Sequence, residues 1–306
     1  QNNLPCCCEK GVGMMDKKLE LKRLIIFLVL TFGMTWLFEG AYIISGFRWD
    51  AEDARTQAVG MGMLFPFIAN ILTRYITKEG YAFTGKDSLM LGINFKDKKW
   101  IFYLVAMFLP WIIRECGYLI ILAVVPNAFD AEYYLQLKIS KGLTFAVPIA
   151  TVVSATIFSF AALGEEGGWR GYMMPKLIKL MGVKKAVVVG GILWGLWHAP
   201  LTCIGHNFGT DYPGFPYLGI LIMCVFCVFM GMTFTYITIK TESIWPATIM
   251  HAVNNGMPGI LLYYLNGEIV ENALPNVIVA NAIMFAPVVI AGTVCMVIMS
   301  RKKAAV

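Results

Sequence analysis

The chain alternates long apolar stretches with short polar connections. Eight stretches contain about 20 mostly apolar residues each, which is the length that crosses a bilayer as an α-helix. They cover residues 24–46, 57–76, 101–125, 144–164, 185–204, 216–239, 244–265 and 275–299. This pattern predicts an all-α fold, a polytopic membrane helical bundle of about eight transmembrane helices whose surroundings are the lipid bilayer.

Basic residues are concentrated at alternate ends of these segments. They precede the first segment and follow the second, fourth, sixth and eighth: Lys17, Lys18, Lys22, Arg23, Arg74, Lys78, Lys86, Lys96, Lys98, Lys99, Arg170, Lys176, Lys179, Lys184, Lys185, Lys240, Arg301, Lys302 and Lys303. The other loops are mainly acidic, as at Asp53 and Glu268. Because cytoplasmic loops of membrane proteins are enriched in lysine and arginine, both termini are expected in the cytoplasm.

Composition supports a membrane protein and one domain. The chain has 306 residues, 58% of them hydrophobic and 14% charged, whereas soluble domains are roughly one quarter charged. The net charge of +6 therefore reports orientation, and no nucleic-acid partner is expected. Residues 1–13 precede a plausible start at Met14 or Met15 and are expected to be an upstream or non-native extension. Residues 14–306 are then one integral membrane domain.

A few ionisable residues stand inside or at the edge of the apolar segments. Glu165 and Glu166 close the fourth segment, His198 lies in the fifth, and His251 lies in the seventh with Asn255 after it. An ionisable group at the centre of a membrane helix costs at least ~2.5 kcal/mol, so each of these residues needs an explanation. Taken singly, each has a structural one, such as packing or a clamp at a helix end. Together they indicate a polar site in the bundle.

Helical spacing separates the two glutamates. Residues four apart share a helix face, so Glu166 can pair with Arg170, and His251 and Asn255 point the same way. Glu165 is about 100° away from Glu166 and is left to face the site. No serine or cysteine lies beside a base, and no HExxH or GxGD motif occurs. A carboxylate, imidazoles and amides suit activation of water and stabilisation of an oxyanion, which is hydrolysis.

The three polar motifs resemble those of the CaaX protease and bacteriocin-processing (CPBP) family, which contains the type II CaaX prenyl endopeptidases. The family pattern EExxxR, an aromatic residue followed by xxxH, and HxxxN reads here as Glu165–Arg170, Trp194–His198 and His251–Asn255. Trp194 stands where phenylalanine is more usual. The resemblance implies a catalytic core at about 144–265 and a helical bundle with a cavity open to the cytoplasm and the membrane. It also implies endopeptidase activity.

The resemblance also implies roles for the motif residues. Glu165 would be the general base, with His198 positioning the water; His251 and Asn255 would stabilise the oxyanion. Glu166 and Arg170 would hold the helix and shape the site. The family is often labelled a metalloprotease, and its chemistry is alternatively called glutamate-dependent. Zn²⁺ bound by Glu165, His198 and His251 and a metal-free mechanism therefore both stay open.

The sequence leaves the substrate, the cellular location and two competing functions open. Relatives remove the last three residues of prenylated CaaX proteins or take part in bacteriocin maturation and self-immunity, so the expected partner is a peptide or a lipidated membrane protein. The expected location is a bacterial plasma membrane, with the active site facing the cytoplasm. One rival is a non-catalytic immunity or binding protein.

A transporter is the other rival. It would use Glu39, Arg114 and Glu115, although Arg114 and Glu115 are expected to pair with each other. The third histidine, His206, falls in an outward loop and is expected to be solvated.

The predicted topology can be checked by labelling single cysteines in a background without native cysteines. Cysteines that replace Asp53 and Glu268 should react with a membrane-impermeant maleimide added to intact cells, because both positions are expected outside. A cysteine that replaces Lys98 should react only after the cells are opened. Labelling at residue 98 in intact cells would contradict this orientation.

Overall fold

A computed structural model describes residues 6–50, 53–85, 87–157 and 159–301. These residues form α1 Cys6–Ile44, α2 Ala54–Gly60, α3 Phe65–Thr77, α4 Trp100–Val124, α5 Tyr133–Gln136, α6 Lys141–Ile157, α7 Phe160–Gly168, α8 Met174–Trp197, α9 Ala199–Thr202, α10 Tyr217–Thr241, α11 Trp245–Gly256, α12 Gly267–Ala273 and α13 Val277–Arg301. Short 3₁₀ turns cover Met61–Leu64, Lys96–Lys98, Pro126–Ala128 and Leu261–Tyr264, and a π-helical turn covers Trp169–Met173. The described residues contain no strand, so the predicted all-α fold is confirmed.

The number of membrane-crossing helices differs from the prediction. In the described part of the chain, five helices are long and apolar enough to cross a bilayer, or six if a bent pair counts as one span, so the count of eight is not confirmed. The seventh predicted span, 244–265, forms the 12-residue helix α11 and the separate 3₁₀ turn Leu261–Tyr264 instead of one long helix. At 1.5 Å per residue, α11 is about 18 Å long, which is short of the roughly 30 Å hydrocarbon core.

The predicted fourth and fifth spans form the bent pair. Helix α6 ends at Ile157, and the chain resumes as α7, the π-helical turn and α8, bent by 57° from α6. A second break lies inside α8 at Gly182, whose φ of 75° and ψ of 160° interrupt the helix. Almost only glycine adopts this backbone conformation. The break separates the segment that carries the glutamates from the one that carries His198.

Glycines bring the helices around the glutamates into close contact. A Cβ atom on Gly164 or Gly168 would collide with the backbone of Met63–Leu64 or Pro66. Gly167 lies against the Phe67 ring in the same way. These three glycines therefore hold α7 directly against α3 and the 3₁₀ turn before it, beside Glu165 and Glu166.

Glycines also allow close packing of α8 against α10. Gly191 and Gly195 lie directly against the backbone of Val228 and Cys224, with no room for a larger side chain. Helix α8 therefore presents Trp194, which lies between the two glycines on the same part of the helix, to the interior of the bundle. Trp194 is 3% exposed.

A charged network connects α1, α8 and the residues after α3. Lys176 Nζ contacts Glu20 Oε2 at 3.2 Å and Glu79 Oε2 at 2.6 Å, and Lys179 Nζ contacts Glu20 Oε1 at 2.8 Å. Burial by itself would raise the pKa of Glu79, but hydrogen bonds from Lys176, Thr77 and Tyr172 bring it below its ordinary value. Two of the lysines that predicted a cytoplasmic surface are thus bound to carboxylates from other segments.

The boundary proposed near residue 13 stays a prediction. Residues 1–5 lie outside the described residues, and α1 runs from Cys6 to Ile44 across the boundary. The assignment of residues 14–306 to one domain is likewise a prediction.

Candidate active site

Four of the six predicted site residues line one cavity. The cavity has a volume of about 660 Å³, and Glu165, His198, His251 and Asn255 are among the side chains that line it. They come from α7, from the junction of α8 and α9, and from α11. Glu166 and Arg170, the other two predicted site residues, are not part of its lining. They are 0% and 2% exposed and lie in the protein interior.

Glu166 is bound by two partners. Its Oε1 accepts a hydrogen bond from Arg170 Nη1 at 3.2 Å and another from His251 Nδ1 at 2.8 Å. The Arg170 guanidinium also stacks on two aromatic rings, 4.2 Å from the Trp194 centroid and 4.9 Å from that of Phe234. The ion pair predicted from the spacing of residues 166 and 170 is therefore present, and it also orients His251.

Glu165 faces the other way and has a partner that the motif reading did not identify. Trp194 Nε1 donates a hydrogen bond to Glu165 Oε2 at 2.7 Å. Glu165 Oε1 lies 3.9 Å from His251 Nε2, which is too far for a direct hydrogen bond. Phenylalanine, the more usual residue at this motif position, has no N–H group to offer. The tryptophan therefore fixes one oxygen of the carboxylate and leaves the second directed toward the imidazole.

The hydrogen bonds of the two imidazoles define what each ring can offer the cavity. His198 Nδ1 is 2.9 Å from the carbonyl oxygen of Trp194, which can only accept, so Nδ1 donates. In a neutral ring, His198 Nε2 is then a hydrogen-bond acceptor. His251 Nδ1 likewise donates to the Glu166 carboxylate, so its Nε2 is the nitrogen nearer to Glu165.

Asn255 lies at the open end of α11. It is exposed, and its Oδ1 accepts a hydrogen bond from Asn254 Nδ2 at 3.1 Å. His251 is one turn earlier on the same helix and is 4% exposed. The amide of Asn255 is therefore on the accessible side of the imidazole.

The expected pair between Arg114 and Glu115 is wrong. Glu115 accepts hydrogen bonds from Trp111 Nε1 at 2.8 Å and from the backbone N–H groups of Ile260 and Leu261. Arg114 Nη2 instead donates to the carbonyl oxygen of Asn254 at 2.8 Å. Neighbouring residues of a helix point about 100° apart, so the two side chains diverge.

The cavity contains two further ionisable residues that the sequence did not place in the site. Glu39 lines it, is 1% exposed, and interacts electrostatically with Glu165. His206 also lines it, with its ring centroid 4.0 Å from that of Trp49, so the expectation of a solvated histidine is wrong. Burial, and secondarily the nearby His198, lower the pKa of His206 to about 3, so its ring is neutral at pH 7. Sequence spacing carried no signal for either residue, because both reach the site through tertiary contacts.

The proposed zinc ligands do not form a metal site in this geometry. Within the described residues, no group of three or more His, Cys, Asp and Glu side chains is arranged to hold a metal ion. Glu165 already accepts a hydrogen bond from Trp194 on one oxygen, and its other oxygen is 3.9 Å from His251.

Comparison with known proteins confirms the resemblance indicated by the motifs. Residues 141–257, which include all six predicted site residues, match the family described as Type II CAAX prenyl endopeptidase Rce1-like. The chain is also similar to a protein of Methanococcus maripaludis named CAAX prenyl protease 2. The two are 26% identical over 263 residues, which cover 85% of this chain and 93% of that protein.

Loss of the Arg170 charge should destabilise the protein as well as impair the site. Arg170→Ala leaves Glu166 as a buried carboxylate without its guanidinium partner, and breaking a buried ion pair typically costs ~3–5 kcal/mol. We expect lower abundance in membranes and a lower Tm in detergent. Arg55→Ala is the matched control, because the Arg55 side chain is 53% exposed and pairs with Asp53 at the surface. A normally abundant, stable and inactive Arg170→Ala protein would instead indicate a direct role in catalysis or substrate binding.

Proposed function

We propose that this protein is an intramembrane endopeptidase that hydrolyses a peptide bond on the cytoplasmic side of the membrane, with Glu165 as the general base. The observation that carries the proposal is that the two adjacent carboxylates occupy different environments. Glu166 is bound to Arg170 and His251, whereas Glu165 lines a cavity with both imidazoles. The match to the type II CAAX prenyl endopeptidase family supports the same conclusion.

The first step is attack by water. A water molecule between Glu165 and His198 can donate one proton to the Glu165 carboxylate and a hydrogen bond to His198 Nε2. The oxygen then attacks the carbonyl carbon of the substrate, and the proton moves to Glu165. Because Trp194 already occupies Glu165 Oε2, the proton goes to Oε1. This oxygen is the one nearer to His251.

The second step is collapse of the tetrahedral intermediate. Its oxyanion can accept hydrogen bonds from the side-chain amide of Asn255 and from His251 Nε2–H, provided that the imidazole carries both protons. Glu166 and Glu165, on either side of this ring, stabilise its positive charge. Protonated Glu165 then returns its proton to the leaving amine as the C–N bond breaks, and the carboxylate is regenerated.

The cavity wall supports a lipidated substrate. The cavity lining includes a set of apolar side chains rich in methionine and phenylalanine: Met223, Phe226, Met230, Met284, Phe285 and Val288. Flexible thioether and aromatic side chains adapt to the shape of a hydrocarbon chain. We therefore propose a peptide that carries an isoprenoid group, in agreement with the name of the Methanococcus relative.

The proposal is tested with a quenched fluorescent peptide that carries a farnesylated cysteine fourth from its C-terminus. Glu165→Gln keeps the shape of the side chain and its hydrogen bond from Trp194 but cannot take a proton. We expect purified, folded Glu165→Gln protein to cleave the peptide at least ~10²-fold more slowly than the wild type. The same peptide without the farnesyl group should be cleaved poorly by the wild type.

Glu166→Gln is the matched control for the assignment of the two carboxylates. It should lose less activity in the fraction that folds, because Glu166 acts through Arg170 and His251. Normal cleavage by Glu165→Gln with none by Glu166→Gln would reverse the assignment. Normal cleavage by both variants would reject the protease proposal in favour of a non-catalytic binding role.

Metal dependence is decided by elemental analysis together with activity. A zinc enzyme should contain about one zinc per chain, and His198→Ala should lose it, because His198 and His251 are the imidazoles nearest to Glu165. The glutamate mechanism predicts instead that wild-type protein freed of metal by chelation keeps full activity. Loss of activity on chelation, followed by recovery with Zn²⁺, would contradict the proposed mechanism.

A further inference from the structure

We infer that Arg114 binds the free C-terminal carboxylate of the substrate, so that the cavity recognises the end of a peptide chain. The inference rests on the proposed function. Arg114 lies in α4, lines the same cavity as Glu165 and His251, and is the one lysine or arginine among the described residues that does so.

Among the described residues, no carboxylate forms an ion pair with Arg114. The neighbouring Glu115 binds backbone N–H groups of residues 260 and 261 instead. A charge inside an apolar bundle is costly and marks a functional position unless it has a partner. A carboxylate is the ligand that a guanidinium binds best, through two parallel hydrogen bonds.

The structural role of Arg114 uses only part of the side chain. Nη2 donates to the carbonyl oxygen of Asn254, near the end of α11, and so stabilises one of the last carbonyl groups of that helix. A guanidinium has five N–H donors, so this bond orients the group without exhausting it. Tyr118, one turn further along α4, also lines the cavity, and its hydroxyl group is hydrogen-bonded to Arg114.

The position of Arg114 suits cleavage a few residues before the C-terminus. It contacts α11 at Asn254, three residues after His251, which is about 4.5 Å along the helix axis. Three residues of extended peptide span about 10 Å. A peptide bond held at Glu165 and His251 therefore leaves a C-terminal tripeptide long enough for its carboxylate to reach the guanidinium.

The negative charge of the cavity would oppose entry of a substrate carboxylate unless a cation such as Arg114 offsets it. Glu39 and Glu165 both line the cavity, and a further carboxylate brought in by the substrate would be repelled by an ionised Glu165. Arg114 offsets this repulsion at a distance from the reacting bond. It thereby lets a negatively charged chain end enter a site whose base is itself negative.

The test compares two farnesylated peptides that differ only at the C-terminus, one a free acid and the other a primary amide. The wild type should show a kcat/KM about 10- to 100-fold higher for the acid, the size expected of hydrogen bonds to a charged group. Arg114→Gln should bring the ratio close to one, and Arg114→Lys should restore part of it. Arg55→Gln, the same substitution at an exposed arginine outside the cavity, should leave the ratio unchanged.

The acid-to-amide ratio of kcat/KM distinguishes recognition of the substrate carboxylate from a role of Arg114 in protein stability. If Arg114 only supports the end of α11, Arg114→Gln slows cleavage of both peptides equally and the preference survives, which overturns the inference. Equal cleavage of acid and amide by the wild type also overturns the inference, while the proposed function stands.

If the wild type cleaves neither peptide, the proposed function fails. The inference is then decided by measuring how tightly the two fluorescent peptides bind to the wild type and to Arg114→Gln protein. Tighter binding of the acid than of the amide by the wild type, abolished in Arg114→Gln, supports the inference. Equal binding of acid and amide by the wild type rejects it.

Discussion

The buried ion pair between Glu166 and Arg170 determines how the site is arranged. Adjacent helical residues point about 100° apart, so only one of two consecutive glutamates can face the cavity. Arg170, with its ring contacts to Trp194 and Phe234, and His251 Nδ1 both hold Glu166 in the interior. Burial of an ion pair is tolerated when further contacts support both ions, and here the His251 imidazole binds Glu166 while two aromatic rings stack on Arg170. Glu165 is thereby turned toward the cavity.

Trp194 connects this ion pair to the reactive side of the site. Its ring face carries Arg170, its edge meets His251 at a centroid distance of 5.5 Å, and its N–H binds Glu165. One indole therefore packs against the structural cation and orients the proposed base. The close packing of α8 on α10 through Gly191 and Gly195 fixes the position of that indole, so the geometry of the carboxylate depends on contacts between helices remote in sequence.

Local periodicity was sufficient to predict the helical class and the Glu166–Arg170 pair, because both depend on residues three or four apart. It failed where tertiary structure decides. The apolar run 244–265 resembles a span, yet α11 ends at Gly256, where the chain turns toward contacts with Glu115. His206 looks like a loop residue, but the fold lays its ring on Trp49 beside the cavity. Arg114 and Glu115, adjacent and opposite in charge, looked like a pair but have separate partners.

The two pairs of adjacent charged residues obey the same rule. In residues 165–166 and in residues 114–115, the second member is bound by interior donors and the first lines the cavity. The interior partner differs, a guanidinium in one case and backbone N–H groups in the other, but each removes one charge from the cavity. Of these four residues, the cavity keeps the Glu165 carboxylate and the Arg114 guanidinium beside α11. For the proposed peptide substrate, opposite charges at these two positions would favour one orientation of a chain whose own end is charged.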